Sequence, residues 1–232
     1  MTLRTAPFRL SDIQAPVRAR LDAVVDEIRR IVVSDFAPVE EVNVYLTKIR
    51  GKLFRPGLLL LCDQLGGGES RNAETLAAVV ELVHLATLVH DDAVDHSVLR
   101  RGMPTVNALW SHQVAIIMGD YLYSRSIIEL TRLGQMEPIR VIAEAANAMT
   151  VGEMRQLSSC EALEFSEDDY DRLIDSKTAS LMSAACELGA LTGAPAERER
   201  LARFGYELGH AFQIADDLLD YTADSAVTGK PS

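Results

Sequence analysis

Apolar residues recur at three- and four-residue spacing in one segment after another, and nowhere does strict alternation run long enough for a strand. The segments lie near 10–34, 40–49, 54–65, 73–95, 111–133, 136–163, 167–192 and 196–223. Breaks fall at Gly66-Gly67-Gly68, from Gly102 to Pro104, at Gly134 and from Gly193 to Pro195, where glycine and proline interrupt helical geometry. Ser166 followed by Asp169 approximates a capping box and should open a helix. The spacing predicts an all-α chain. Hydrophobic residues at 48% with aromatics at only 6% agree, since Ala- and Leu-rich sequence favours helix over strand. The most apolar stretch, Ala77 to Val89, is interrupted by Glu81 and His84; it is too short to span a bilayer and reads as a buried helix.

The formal net charge of -11, from 34 acidic against 23 basic residues, argues against a nucleic-acid surface and against docking on anionic lipid by charge. Cys62, Cys160 and Cys186 are scattered and form no Cys-x-x-Cys or Cys/His spacing, so neither a disulfide framework nor a zinc site is indicated. The first residues, MTLRTAPFRL, contain no apolar signal region. The expectation is a soluble protein of a reducing cytoplasm, with no transmembrane segment and no nucleic-acid partner.

Two acidic clusters carry the chemistry. Asp91-Asp92-Ala93-Val94-Asp95 and Asp216-Asp217-Leu218-Leu219-Asp220 both read DDxxD, and each closes a long apolar segment. Asp91 and Asp95 are four apart and share a helix face, as do Asp216 and Asp220. Such carboxylates repel one another, and the helix C-terminus further disfavours negative charge. Mg²⁺ relieves that repulsion, because it prefers carboxylate oxygens, keeps waters and bridges to phosphates. A lone DDxxD could be a solvated helix end. Here, however, His84, Thr87, Asp91 and Asp95 form one polar stripe, and Gly209, Gln213, Asp216 and Asp220 form another. Polar stripes on apolar helices suggest two walls of a shared cavity.

Basic residues cluster nearby in sequence or in pattern: Gly51-Lys52-Leu53-Phe54-Arg55-Pro56, Arg100-Arg101-Gly102, Lys177-Thr178 and Gly229-Lys230-Pro231. Arg suits forked phosphate contacts and Lys supplies a point charge. Each alone would be an ordinary surface residue; together with the paired acidic clusters they suggest diphosphate ligands.

With GKLFRP (51–56), ELVHLATLVHDDAVDHSVLRRGMPT (81–105), GDYLYSRS (119–126), GEMRQ (152–156), KTASL (177–181), FQIADDLLDYTAD (212–224) and GKP (229–231), the chain resembles the trans-polyprenyl diphosphate synthases. The motifs recur in family order over essentially the whole chain. The resemblance implies one all-helical domain over 1–232, a bundle of ten or more helices around a central cavity. It implies Mg²⁺, three ions with substrate bound, held by Asp91, Asp92, Asp95, Asp216, Asp217 and Asp220. Arg100, Lys177, Thr178, Gln213 and Lys230 would contact the allylic diphosphate, and Lys52, Arg55, His84 and Arg101 would hold isopentenyl diphosphate. Asp91, Asp92, Arg100, Lys177, Gln213 and Asp216 would act most directly in catalysis, and a homodimer is expected. The implied reaction joins the two substrates head to tail by ionisation, condensation and proton loss, in a cavity that excludes water.

Two departures stand out. The family pattern GKRxRP has a basic residue where this chain has Leu53, which should weaken isopentenyl diphosphate binding or shift the load to Lys52 and Arg55. Family chains also run on for several helices after GKP, whereas this sequence ends at Ser232, so those helices are expected to be missing from the cavity wall. Small residues at Thr87 and Ala86, four and five positions before the first cluster, point to a product of about C30 or longer, since the floor of the cavity would lie below them. Other residues could close it, and the sequence does not place Ile116, Ile117 and Tyr121 relative to it. A non-catalytic subunit of a heteromeric synthase and a class I terpene cyclase are the alternatives; intact DDxxD motifs disfavour the first, and the Arg100-Arg101 pair with DDLLD the second. A di-iron bundle would need paired Glu-x-x-His motifs, and only Glu81–His84 provides one.

Overall fold

The computed structural model describes residues 9–48, 51–68, 70–159 and 166–222. The fold is all-α, as the spacing predicts. Its helices are α1 (Leu10–Ile13), α2 (Arg18–Val32), α3 (Ala37–Lys48), α4 (Phe54–Gln64), α5 (Arg71–Val94), α6 (Val106–Leu109), α7 (His112–Arg132), α8 (Met136–Ser159), α9 (Glu167–Ile174), α10 (Ser180–Gly193) and α11 (Arg198–Thr222). A π-helical turn, Asp175–Ala179, joins α9 to α10 without a break in the chain's helical path. Helix starts use the caps their residues allow. Ser111 Oγ accepts from the Val114 N–H, and Ser166 with Asp169 forms the expected capping box.

Three local expectations need correction. The segment 10–34 is not one helix: Pro16 interrupts it, so that α1 and α2 are separated by a 3₁₀ turn at Ala15–Val17. Proline lacks the N–H and crowds the residue before it. A short antiparallel hairpin, β1 (Leu99–Arg100) with β2 (Met103–Pro104), stands where no strand was expected. Its turn residues Arg101 and Gly102 both have positive φ, 51° and 76°, as a tight hairpin turn of this hand requires. The apolar stretch near Ala77 also belongs to a helix of 24 residues, about 36 Å long at 1.5 Å per residue, which by length and composition could cross a bilayer. Burial gives that helix another reading: 61% of its most apolar window is covered within the fold.

α5 is the axis of the core. It packs against α2, α4, α7 and α10, while α10 in turn packs against α8 and α11. Leu76, Val79, Val80, Leu82 and Val83 of α5 are buried together with Leu59 and Leu60 of α4, Met118 and Leu122 of α7, and Leu181 and Leu188 of α10. Truncating a fully buried leucine such as Leu76 to alanine costs about 2–5 kcal/mol in cores of this kind. Two ion-pair groups tie these helices together. Arg20 of α2 bridges the fully buried Asp63 of α4, at 2.7 Å, and Glu74 of α5. Glu129 of α7 receives Arg30 of α2, at 2.8 Å, and Arg132. Cys62 and Cys186, distant in sequence, are both buried free cysteines.

Candidate active site

A cavity of about 1980 Å³ lies between the loop before α4, helix α5, the β1–β2 hairpin, α8, α9, the π-helical turn and α11. The helical period decides what α5 presents to it. Glu81, His84, Thr87, Leu88, Asp91 and Asp92 line the cavity, while Val79, Val80, Leu82, Val83 and Ala86 face the core. The polar stripe is as expected down to Asp91. Asp95, the C-cap residue, continues the helical hydrogen bonding to the Asp91 carbonyl but is exposed and not on the cavity wall.

The opposite wall comes from α11, which places Gln213, Asp216 and Asp217 on the same cavity. Asp220 lies in α11, but its side chain is outside the described residues, as is Lys230. Between the walls stands the π-helical turn. It carries one more residue per turn than an α-helix, a feature frequent at functional sites, and it presents Lys177 and Thr178. Gly152 of α8 and Gly209 of α11 let their helices close on this turn. A Cβ at Gly152 would meet Ser176 Cβ at 2.5 Å, and one at Gly209 would meet Ala179 Cα at 2.5 Å.

A continuous chain of contacts joins the two acidic clusters. Lys177 Nζ lies 3.9 Å from Asp91 Oδ2, donates to Gln156 Oε1 at 2.7 Å and pairs with Glu153. Thr178 Oγ1 donates to Gln213 Oε1 at 2.7 Å, and Gln213 Nε2 donates to Asp217 Oδ1 at 2.9 Å. The Tyr170 hydroxyl donates to the other oxygen of Asp217. On the hairpin side, Arg100 Nε donates to both oxygens of the buried Asp92.

Arg55, Glu81, His84 and Arg101 interact electrostatically on one wall of the cavity, and Lys52 lines the same cavity from the loop that precedes α4. Burial works against the Arg55 charge, and its Nε has no hydrogen-bond partner in the described structure. His84 is held well below the ordinary imidazole value, first by burial and then by the Arg55, Arg101 and Arg100 charges, so it is neutral at pH 7. Burial raises the Glu81 carboxyl, opposed by Arg55 and Arg101. A guanidinium with its Nε unpaired, beside Arg101 and His84, gives this wall donors suited to an anion.

The carboxylate walls suit a hard divalent cation. Burial, with Glu153 and Asp95 adding to it and Lys177 and Arg100 opposing, pushes Asp91 up to about 6, a strain on the anion that a cation relieves. Among the described residues no group of three or more His, Cys, Asp or Glu side chains converges as a ready-made cage.

The sequence reading assigned no role at the site to Glu81, Glu153, Gln156 and Tyr170. Glu81 stands three residues before His84, and Glu153 and Gln156 are three apart in GEMRQ, so helical spacing carried a signal for them. Tyr170 reaches Asp217 from another helix, and nothing local marks it. Of the two small residues before the first cluster, Thr87 lines the cavity and Ala86 is in the core. Ile116 and Ile117 are exposed on α7, and Tyr121 donates to the Val32 and Val33 carbonyls, so none of the three closes the cavity floor.

The family profile described as polyprenyl synthetase matches residues 37–232. The chain belongs to the polyprenyl synthetase family. Among family members, it is 39% identical over 214 residues to heptaprenyl diphosphate synthase component 2 of Geobacillus stearothermophilus, covering 91% of this chain and 67% of that protein. It is 39% identical over 199 residues to octaprenyl diphosphate synthase of Escherichia coli, covering 85% of this chain and 62% of that one. The chain thus spans about two thirds of the length of these relatives or less. Solved family structures superpose closely. A decaprenyl diphosphate synthase from Rhodobacter capsulatus gives a TM-score of 0.87 at 40% identity, covering 92% of this chain and 67% of that one. A polyprenyl synthase from Caulobacter crescentus, complexed with calcium and isoprenyl diphosphate, gives 0.88 at 33%, covering 95% and 69%.

Proposed function

We propose that this polyprenyl synthetase family member condenses an allylic diphosphate with isopentenyl diphosphate, head to tail, to make a trans-polyprenyl diphosphate. The observation that carries the reading is that two aspartate pairs and two groups of cations line one cavity. Asp91, Asp92, Asp216 and Asp217 would hold Mg²⁺, with Asp95 and Asp220 completing the two motifs and three ions present when substrate is bound. Bound there, Mg²⁺ supplies positive charge to the diphosphate of the allylic substrate.

Arg100, Lys177, Thr178, Gln213 and Lys230 bind that diphosphate and orient it between the two acidic walls. As the allylic C–O bond breaks, its electron pair passes to the diphosphate oxygen, and Arg100 and Lys177 stabilise the growing charge. Lys52, Arg55, Arg101 and neutral His84 hold isopentenyl diphosphate, whose double bond attacks the cation. The new C–C bond leaves a cation that loses a proton to the departed diphosphate. The apolar lining keeps water from the cation, and Thr87 leaves room for a tail of about C30 or longer in the cavity.

The protein is read as a cytoplasmic homodimer. The decisive test incubates the purified chain with Mg²⁺, farnesyl diphosphate and radiolabelled isopentenyl diphosphate. Elongated products are expected without any added protein. A relative bears the name component 2, so turnover that appears only with a second subunit would replace this reading by the heteromeric one. Cyclised hydrocarbon from farnesyl diphosphate alone would replace it by a terpene cyclase.

A further inference from the structure

The loop that carries Lys52 into α4 turns at Leu53, which has φ 48° and ψ 43°, in the left-handed region. That conformation is unfavourable for a leucine and persists only where the surroundings hold it. No side chain caps α4 from within the loop. Leu53 packs its side chain against the hydrophobic core, and its backbone is held from 38 and 39 residues earlier in the chain. One amide, Gln14 Nε2, donates to the Lys52 carbonyl at 3.0 Å and to the Leu53 carbonyl at 3.1 Å. The Leu53 carbonyl also accepts the Gly57 N–H at 2.9 Å, the first hydrogen bond of α4. Gln14 therefore fastens the backbone at the point where the loop becomes helix. Lys52 lies just before that point and Arg55 just after it, and both line the cavity. Leu10 and Ile13, on the turn before Gln14, line the same cavity. All three precede the stretch, 37–232, that the family profile matches.

We propose that Gln14 is a positioning residue for the isopentenyl diphosphate pocket, acting through the backbone of Lys52 and Leu53. The proposal rests on the reading of Lys52 and Arg55 as ligands of that substrate. Gln14 touches neither substrate in this scheme. It keeps Leu53 left-handed, and the left-handed turn aims Lys52 and Arg55 at one anion. Without the amide, Leu53 relaxes toward the extended region and the two cations no longer converge. The allylic diphosphate, bound by Lys177, Thr178 and Gln213 on other elements, is unaffected.

The test is steady-state kinetics on the full chain with both substrates varied. Gln14→Met keeps the length of the side chain and removes both donors. It should raise KM for isopentenyl diphosphate about 10-fold, with kcat and the allylic KM within about 2-fold. Leu53→Gly makes the left-handed turn intrinsically easy, so adding Gln14→Met in that background should raise the same KM less than about 3-fold. Should Gln14→Met not fold, Gln14→Glu serves, since an ionised carboxylate of the same shape cannot donate. An unchanged isopentenyl diphosphate KM, an equal rise in both KM values, or the same rise in both backgrounds would overturn the proposal. Arg55→Met separates the two levels. If it raises this KM while the Gln14 variants do not, only the role of Gln14 fails; if it leaves KM unchanged, the pocket reading fails and takes this inference with it.

Discussion

Arg100 Nε stands 2.9 and 2.8 Å from the two carboxylate oxygens of Asp92, a bifurcated contact between a hairpin residue and the buried member of the first acidic cluster. It ties a diphosphate ligand to a metal ligand in the proposed scheme, so the two cannot be placed independently. Asp92→Asn weakens the acceptor and removes one negative charge. The expected result is kcat lower by about 100-fold or more with KM for isopentenyl diphosphate within about 3-fold, because that substrate sits on another wall. Steady-state assays with Mg²⁺ titration check this, and an unchanged kcat would take Asp92 out of the reacting centre.

Among the described residues no three metal-ligating side chains converge, and the proposed Mg²⁺ site makes a prediction about the ion itself. Mg²⁺ should bind weakly to the protein alone and much more tightly once a diphosphate supplies oxygens. Isothermal titration of Mg²⁺ with and without an unreactive thiodiphosphate analogue should show at least about a 10-fold difference in affinity. Chelation should abolish turnover, and restoring Mg²⁺ should recover it. Equal affinity in the two titrations would mean that the carboxylates form a complete site by themselves.

Thr87 and Ala86 are neighbours in sequence on different faces of α5, and that difference separates product length from stability. Thr87→Phe projects a ring into the cavity and should shorten the product by several isoprene units without loss of fold. Ala86→Phe forces a ring into the packed core and should cost about 1–3 kcal/mol of stability. Radiolabelled product analysis and thermal melts on both variants check the pair. Shorter products from Ala86→Phe at an unchanged Tm would show that the cavity floor lies on the other face.

Glu129 gives a stability prediction with a definite pH sign. Burial alone would raise its carboxyl, but hydrogen bonds and charge from Arg30 and Arg132 outweigh it and hold the group below its ordinary 4.5. A depressed carboxylate contributes fully above the unfolded value and loses that contribution as pH falls from 4.5 through the folded value. Wild-type Tm should therefore fall more steeply below about pH 4.5 than that of Glu129→Gln, whose Tm at pH 7 should be lower by an amount matching about 1–2 kcal/mol. Parallel acid melts of the two proteins decide it.

Much of the site could be read from the chain because its chemistry is local. Three aspartates in five residues, or two arginines before a glycine, declare themselves without a fold, and the period of α5 then predicts which wall they face. What could not be read arises from packing between distant segments. Tyr170 finds Asp217 only because α9 lies along α11. Leu53 looked like a lost cation, and its left-handed backbone becomes apparent only with Gln14 in place. Asp95 belonged to the motif by spacing, and it is an exposed C-cap residue whose charge still acts on Asp91 although its side chain is not on the cavity wall. The stretch from 167 to 192 has unbroken helical periodicity, and nothing in it announces the irregular turn at Asp175–Ala179.

That turn has a consequence for how the sequence can vary. The extra residue shifts the angular phase of everything that follows, and one residue corresponds to about 100° of rotation in regular helix. Deleting Ser176 would restore an ordinary spiral and swing α10 and its buried leucines relative to Lys177, so either the lysine leaves its place or the core does. A single-codon loss here would disturb the site and the core together, so the length of this segment is constrained as well as its letters.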